Sequence, residues 1–312
     1  MQLPAQDRRG FLGGIAAFGA AALGLAASAG AQGDSAPGPL MRRIPASGEA
    51  VPAVGMGTWI TFNVGDDEEL RRRRLDVCRA FFGAGGSVID SSPMYGSSEE
   101  VVGWCLERLP QPQKLFSATK VWTWFDSRGP AQMAQSRELW GVDRFDLMQV
   151  HNLLSWEGHL GTILEDKAAG RVRYAGVTTS HGRRHAELEK IMATQPIDFV
   201  QFTYNVLDRE AEDRLLPLAA ERGLAVLINR PFRQGPLIDA VERHALPDWA
   251  GEIGCANWAQ LLLKFILSHP AVTCVIPATT RVDHMRENMG ALHGALPDAA
   301  MRARIVDHVE NL

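Results

Sequence analysis

The chain has 312 residues, 46% of them hydrophobic and 22% charged, with a formal net charge of −4 at pH 7. That much apolar material suits one large domain or two small ones, and the acidic balance without a Lys/Arg-rich arm excludes nucleic acid as an expected partner. Four cysteines, Cys78, Cys105, Cys255 and Cys274, show neither C-x-x-C nor metal-ligand spacing, so they read as small buried hydrophobes and no metal is expected.

In chain order, residues 1–31 read as an export signal. Arg8-Arg9-Gly10-Phe11-Leu12 resembles the twin-arginine type, an Ala/Gly-rich apolar stretch follows, and cleavage sites follow Ala29 and Ala31. So much Gly and Ala makes a poor spanning helix, so no permanent membrane anchor is expected. The expected partner is the twin-arginine export machinery and the destination periplasmic or exported. Folding before export, in a reducing compartment, predicts no disulfide. Residues 32–39 form a flexible lead-in, and 40–312 one barrel domain.

Residues 41–55, MRRIPASGEAVPAVG, carry a Ser-Gly turn between short apolar pieces and predict a hairpin. Strand-like runs then recur at 53–59, 87–92, 114–122, 145–152, 172–180, 197–205, 224–231 and 272–279. Helix-like stretches between them include 67–82, 98–109, 211–222 and 256–268. The first of these opens with Asp66-Asp67-Glu68-Glu69 before four arginines, predicting surface pairs Asp67–Arg71, Glu68–Arg72 and Glu69–Arg73. The second opens with Ser97-x-x-Glu100, a capping box. Strands alternating with helices argue parallel βαβ units. Eight such units in this length predict an α/β fold, a closed (β/α)8 TIM barrel of roughly 250 residues, with the hairpin capping its bottom. After strand seven, residues 232–254 form a Pro-punctuated connection long enough to suggest a functional loop.

Chemistry in such a barrel sits where strands end. Asp90, Lys120 and His151 fall at the ends of strands two, three and four, and Tyr95 lies in the loop after strand two. A phenol titrates near pH 10. A neighbouring ammonium held by a carboxylate would lower that value and make Tyr95 a general acid. His151 would orient the same substrate oxygen. Proton delivery to a carbonyl needs a hydride source that no side chain provides, so a nicotinamide cofactor is implied.

Over residues 40–312 the sequence resembles the aldo-keto reductase superfamily. The resemblance rests on GMGTW (55–59), Asp90-Ser91-Ser92-Pro93-Met94-Tyr95 and the GSSEEVVG that follows it (96–103), TKVW (119–122) and QVHN (149–152). It continues through AGVTTS (175–180), QFTYN (201–205), RPFRQG (230–235) and IPATTRVDHMRENMGAL (276–292). It implies that Asp90, Tyr95, Lys120 and His151 are catalytic and that NADP binds across the top, with NADPH preferred and NADH not excluded. The implied cofactor contacts are Thr58, Thr178, Thr179, Gln201, Asn229, Arg230, Pro231, Thr279, Arg281, His284, Glu287 and Asn288. Trp59, Trp122 and Asn152 match substrate-pocket positions. The chain departs from the family at three places. Thr178-Thr179 stands for a usual Ser-Asn pair, and Asn229 for a common aromatic. Arg281 is left as the obvious cation for a 2′-phosphate, beside His284. No G-x-G-x-x-G unit suggests a Rossmann alternative. The expected activity is reduction of a small-molecule aldehyde or ketone to an alcohol. Alcohol oxidation on the same fold is the first alternative, and an NADP(H)-binding sensor or partner subunit with little turnover the second. His181 and His185, four apart, lack the carboxylates of a metal motif and read as ordinary side chains.

Overall fold

The computed structural model describes residues 38–110 and 114–312. The expected export signal and most of the lead-in lie outside the described residues. A hairpin of β1 (Met41–Arg43) and β2 (Ala50–Pro52) precedes eight parallel strands. These are β3 (Met56–Gly57), β4 (Val88–Asp90), β5 (Phe116–Val121), β6 (Phe145–Val150), β7 (Val172–Thr178), β8 (Phe199–Thr203), β9 (Ala225–Asn229) and β10 (Cys274–Val275). They pair in chain order, and a parallel bridge between Val54 and Val275 joins the first staves to the last, closing the (β/α)8 barrel.

The outer layer comprises α1 (Glu68–Gly83), α2 (Ser98–Glu107), α3 (Gly129–Trp140), α4 (Trp156–Ala168), α5 (His185–Thr194), α6 (Leu215–Arg222), α7 (Pro236–Val241), α8 (Trp258–Leu267), α9 (Val282–Gly290) and α10 (Ala299–Glu310). The segment after strand seven, expected as a long functional loop, holds α7 and a 3-10 turn at Asp248–Ile253.

The closing seam is made by glycine. A Cβ on Gly55 would stand 2.8 Å from the carbonyl oxygen of Val88, and one on Gly57 2.8 Å from that of Ile276. Only glycine lets β3 approach both neighbours so closely. At the bottom, Ile44 and Val51 of the hairpin pack with Val88, Phe116, Leu147, Tyr174 and Phe199. Polar tethers fix the hairpin there. The Tyr174 hydroxyl donates to Glu49 (2.8 Å), and Arg173 bridges Glu49 and Asp146. The barrel is therefore filled at its lower end.

Two local expectations need correction. Arg72 and Arg73 pair with Glu68 and Glu69 on the solvated face, but Arg71 does not pair with Asp67. Asp67 caps α1 by accepting from the Leu70 N–H (2.9 Å). Arg71 is buried and reaches Asp66 (2.8 Å), Glu100 (2.5 Å) and the Gly65 carbonyl (2.6 Å). That claim on Glu100 removes it from the expected capping box. Ser97 makes no side-chain cap, and its hydroxyl accepts from the Gly65 N–H (2.8 Å) instead.

Helix α2 sits hard against α3. A Cβ at Gly103 would lie 1.8 Å from the Leu139 carbonyl oxygen, closer than any real contact. Gly103→Ala must push the two helices apart, and a loss of about 1–3 kcal/mol is expected. Thermal unfolding of the purified variant checks this; an unchanged melting temperature would show that the helices yield freely.

Candidate active site

Asp90 ends β4 and Lys120 lies near the end of β5, so the parallel register brings the two chains side by side above the packed barrel floor. Lys120 Nζ donates to Asp90 Oδ2 (2.5 Å) and to the Ser91 carbonyl oxygen (2.7 Å), and both side chains are almost wholly buried. The other carboxylate oxygen, Oδ1, accepts from Gln149 Nε2 and Gln201 Nε2, both at 3.0 Å. Burial works against charge on Lys120, but Asp90 and Tyr95 outweigh it and leave the ammonium above its ordinary value.

Tyr95 enters from the 3-10 turn Pro93–Tyr95, whose cap Ser92 accepts from the Met94 N–H (3.2 Å). Lys120 Nζ stands 5.0 Å from the centre of the Tyr95 ring, and the His151 ring meets that ring edge-on at 5.5 Å. Burial raises the phenol above the usual tyrosine value. The Lys120 charge pulls it back, and Asp90 adds to the rise. The net direction is upward, against the lowering expected from the lysine alone, because desolvation of a buried phenolate exceeds the help of one nearby cation. His151 is pushed well below the usual imidazole range by burial and by the Lys120 charge, so it is neutral at physiological pH.

A cleft of about 370 Å³ runs away from this cluster across the barrel top. Asp90, Tyr95 and His151 line it, together with Thr58, Trp59, Asn152, Thr178, Thr179, Gln201, Asn229, Arg230, Pro231, Thr279, His284, Glu287 and Asn288. Lys120 stands behind, reaching the cleft only through Asp90 and Tyr95. Arg281 and Trp122 are outside the lining. Arg281 points to solvent and forks onto Asp283, and Trp122 is exposed on the outer rim. From the segment after strand seven come Phe232, Gln234, Gly235, Ile238, Asp239 and Glu242.

Several lining groups are already engaged. The Thr58 hydroxyl donates within a fully buried cluster with Ser91 Oγ (2.8 Å) and the Asp90 carbonyl (3.0 Å). Asn229 donates to the Thr179 carbonyl (2.9 Å) and accepts from Thr203 Oγ1 (2.7 Å). Thr178 Oγ1 accepts from the Asn152 N–H (3.0 Å). The Thr179 hydroxyl, by contrast, is buried with no partner among the described residues. His181 does not meet His185: its ring contacts Ser180 Oγ (2.9 Å) and the Arg230 guanidinium. Sequence reasoning missed Gln149 and Ser92. Gln149 is a fully buried amide in an apolar strand, a signal of a polar partner that QVHN alone did not identify.

The cluster occupies the C-terminal ends of the strands, where barrel enzymes carry their chemistry, and the chain is of that class. A family model described as Aldo/keto reductase family matches residues 53–309, so the chain belongs to this family of oxidoreductases. Among curated relatives, methylglyoxal reductase YeaE of Escherichia coli is 28% identical over 259 residues, covering 81% of this chain and 89% of the relative. An NADH-specific methylglyoxal reductase of Escherichia coli is 24% identical over 325 residues, covering 83% and 96%. Among solved structures, an aldo/keto reductase from Klebsiella pneumoniae in complex with NADP and acetate superposes with a TM-score of 0.74 at 24% identity, covering 86% of this chain and 95% of that one.

Proposed function

We propose that this protein reduces an aldehyde or ketone to an alcohol with NADP(H), with Tyr95 as the general acid. The observation that carries the reading is the Lys120 ammonium held between Asp90 and Tyr95 at the head of an extended cleft. The raised phenol is protonated at rest, and is therefore loaded for proton donation to a carbonyl oxygen. Lys120 then stabilises the phenolate left behind, and Asp90, fixed by two glutamine amides, keeps Lys120 in place. Neutral His151 holds the carbonyl oxygen by hydrogen bonding.

The lining fits a nicotinamide dinucleotide. The unpartnered, buried Thr179 hydroxyl is a polar group waiting for a carboxamide, with Thr178 and Gln201 beside it. Arg230 and Pro231 suit a pyrophosphate, and Thr279, His284, Glu287 and Asn288 an adenosine. Bound there, the cofactor supplies the hydride. The NADP complex of the Klebsiella relative supports this choice, and the NADH-specific relative supports NADH as a second cofactor. Trp59, Ile60 and Met94 line the cleft with Tyr95, which suits an uncharged carbonyl compound. Dehydrogenation is the same site in reverse. A non-turning-over sensor is the outcome if a panel of carbonyl compounds gives no NADPH oxidation.

We further propose export through the twin-arginine route, on the Arg8-Arg9-Gly10-Phe11-Leu12 motif. Replacing Arg8-Arg9 by Lys-Lys should retain folded, active enzyme in the cytoplasm; undiminished secretion would point to an ordinary signal.

Tyr95→Phe should keep the fold and cofactor binding and lower carbonyl reduction by a factor on the order of a hundred or more. In the wild type the proton donor is lost only as pH rises through a folded value above the ordinary tyrosine one. Reduction should therefore be level through neutral pH and fall only beyond about pH 10. A fall beginning near neutrality in steady-state kcat profiles would assign the acid elsewhere.

Arg281 faces competition for any 2′-phosphate, because Asp283 holds it and Glu242 and Glu287 lie near. Asp283→Asn should release it and raise the affinity for NADPH about three- to tenfold, leaving NADH nearly unchanged, as expected for one freed charge-assisted contact. Fluorescence titration with both cofactors checks this; equal changes would place Arg281 away from the phosphate.

A further inference from the structure

Ser92 is fully buried two residues after Asp90, and its Oγ lies 2.7 Å from Nδ1 of His151. The same oxygen accepts the Met94 N–H at 3.2 Å. Two arrangements satisfy the Ser92–His151 contact. If Nδ1 carried the hydrogen, Ser92 Oγ would accept twice and its own O–H would be left in the interior with no acceptor, which is unfavourable for a buried hydroxyl. If the hydroxyl donates to Nδ1, all these groups are paired. The imidazole hydrogen then resides on Nε2, the nitrogen left for the cleft that His151 lines.

We propose that Ser92 is a positioning residue that locks His151 as the Nε2–H tautomer, so that the ring presents a donor to the substrate oxygen. The inference deepens the reductase reading and rests on it for the use made of that donor. The tautomer itself is independent of turnover. A neutral imidazole without this partner exchanges freely between two forms, one of which turns a lone pair toward the carbonyl oxygen and repels it. Ser92 removes that form. Its backbone, extended at the cap of the 3-10 turn that carries Tyr95, ties the orientation of His151 to the placement of the acid.

The test is a long-range ¹⁵N–¹H correlation spectrum of the cofactor-free full chain, labelled with ¹⁵N-histidine at neutral pH. The His151 signals are assigned by their loss in His151→Asn. The wild type should show a protonated Nε2 and a lone-pair Nδ1. Ser92→Ala should shift the pair toward a mixture of forms, and Ser92→Thr, which keeps the hydroxyl, should retain the wild-type pattern. With NADPH and an aldehyde, Ser92→Ala should lose about tenfold in kcat, the scale of one hydrogen bond, with the KM for NADPH unchanged. Ser92→Thr should recover most of it. A wild type protonated on Nδ1, or a Ser92→Ala spectrum identical to the wild type, overturns the proposal. The wild-type spectrum decides even if the alanine variant fails to fold. An Nε2–H form without carbonyl turnover in any variant would support the lock while sinking the reductase reading.

Discussion

The buried ion pair between Lys120 and Asp90 is the constraint around which the barrel mouth is built. Two charges taken from water cost several kcal/mol each, and attraction alone does not reliably offset that. Here further hydrogen bonds hold both partners. Lys120 also donates to Ser91 O, and Asp90 Oδ1 takes the amides of Gln149 and Gln201. Those amides come from β6 and β8, so the staves from β4 to β8 enclose one carboxylate, with Thr58 from the loop after β3 bonded to its backbone. Burial sets the direction of the two shifts nearest the pair, upward for the Tyr95 phenol and downward for the His151 imidazole, and the pair's charges act on top of it. Asp90 adds to the rise of the phenol while Lys120 opposes it, and the Lys120 charge adds to the fall of the imidazole.

Behind Lys120 a second buried acid anchors the strand. Glu99 on α2 accepts from Thr119 Oγ1 (2.5 Å), Ser136 Oγ (2.9 Å) and Trp140 Nε1 (3.3 Å), joining α2, β5 and α3 next to the lysine. Burial raises its pKa while these three donors hold it down. The close approach of α2 and α3 at Gly103 belongs to the same junction. Packing of the outer helices and placement of the ammonium are thus one problem, solved with one set of contacts.

What could be read in the sequence follows from the periods of the fold. The eight strand runs and the positions of Asp90, Lys120 and His151 were legible because a barrel repeats one βα unit at a time and puts strand ends on one face. The hairpin before β3 was legible from its Ser-Gly turn. Pairings across the repeat were not. Gln149 finds Asp90 59 residues away, and Ser92 finds His151 at the same separation. Local rules failed where a distant partner displaced the near one: Arg71 left Asp67 for Glu100, and Glu100 left Ser97 for Arg71. At Arg281 the reverse happened, with the adjacent Asp283 taking a cation expected to face the cleft. The direction of the Tyr95 shift also depended on burial, which a charge pattern does not carry.

The distribution of backbone strain sorts the two ends of the barrel. Among the described residues the non-glycine positions with positive φ are Ile60, Asn152, Leu153, Ser155, His181, Arg184, Arg230, Arg233 and Gln234. All follow β3, β6, β7 or β9, on the side of the cleft. Asparagine tolerates this region, but a β-branched residue such as Ile60 does not adopt it without cost. Such conformations persist only where the surroundings over-determine them. The filled floor of aromatic and aliphatic side chains provides that rigidity, and the loops above use it to aim Asn152, His181 and Arg230 at one cleft. Stability below and strain above are therefore linked: the packed lower barrel holds fixed the strand ends from which the strained loops start.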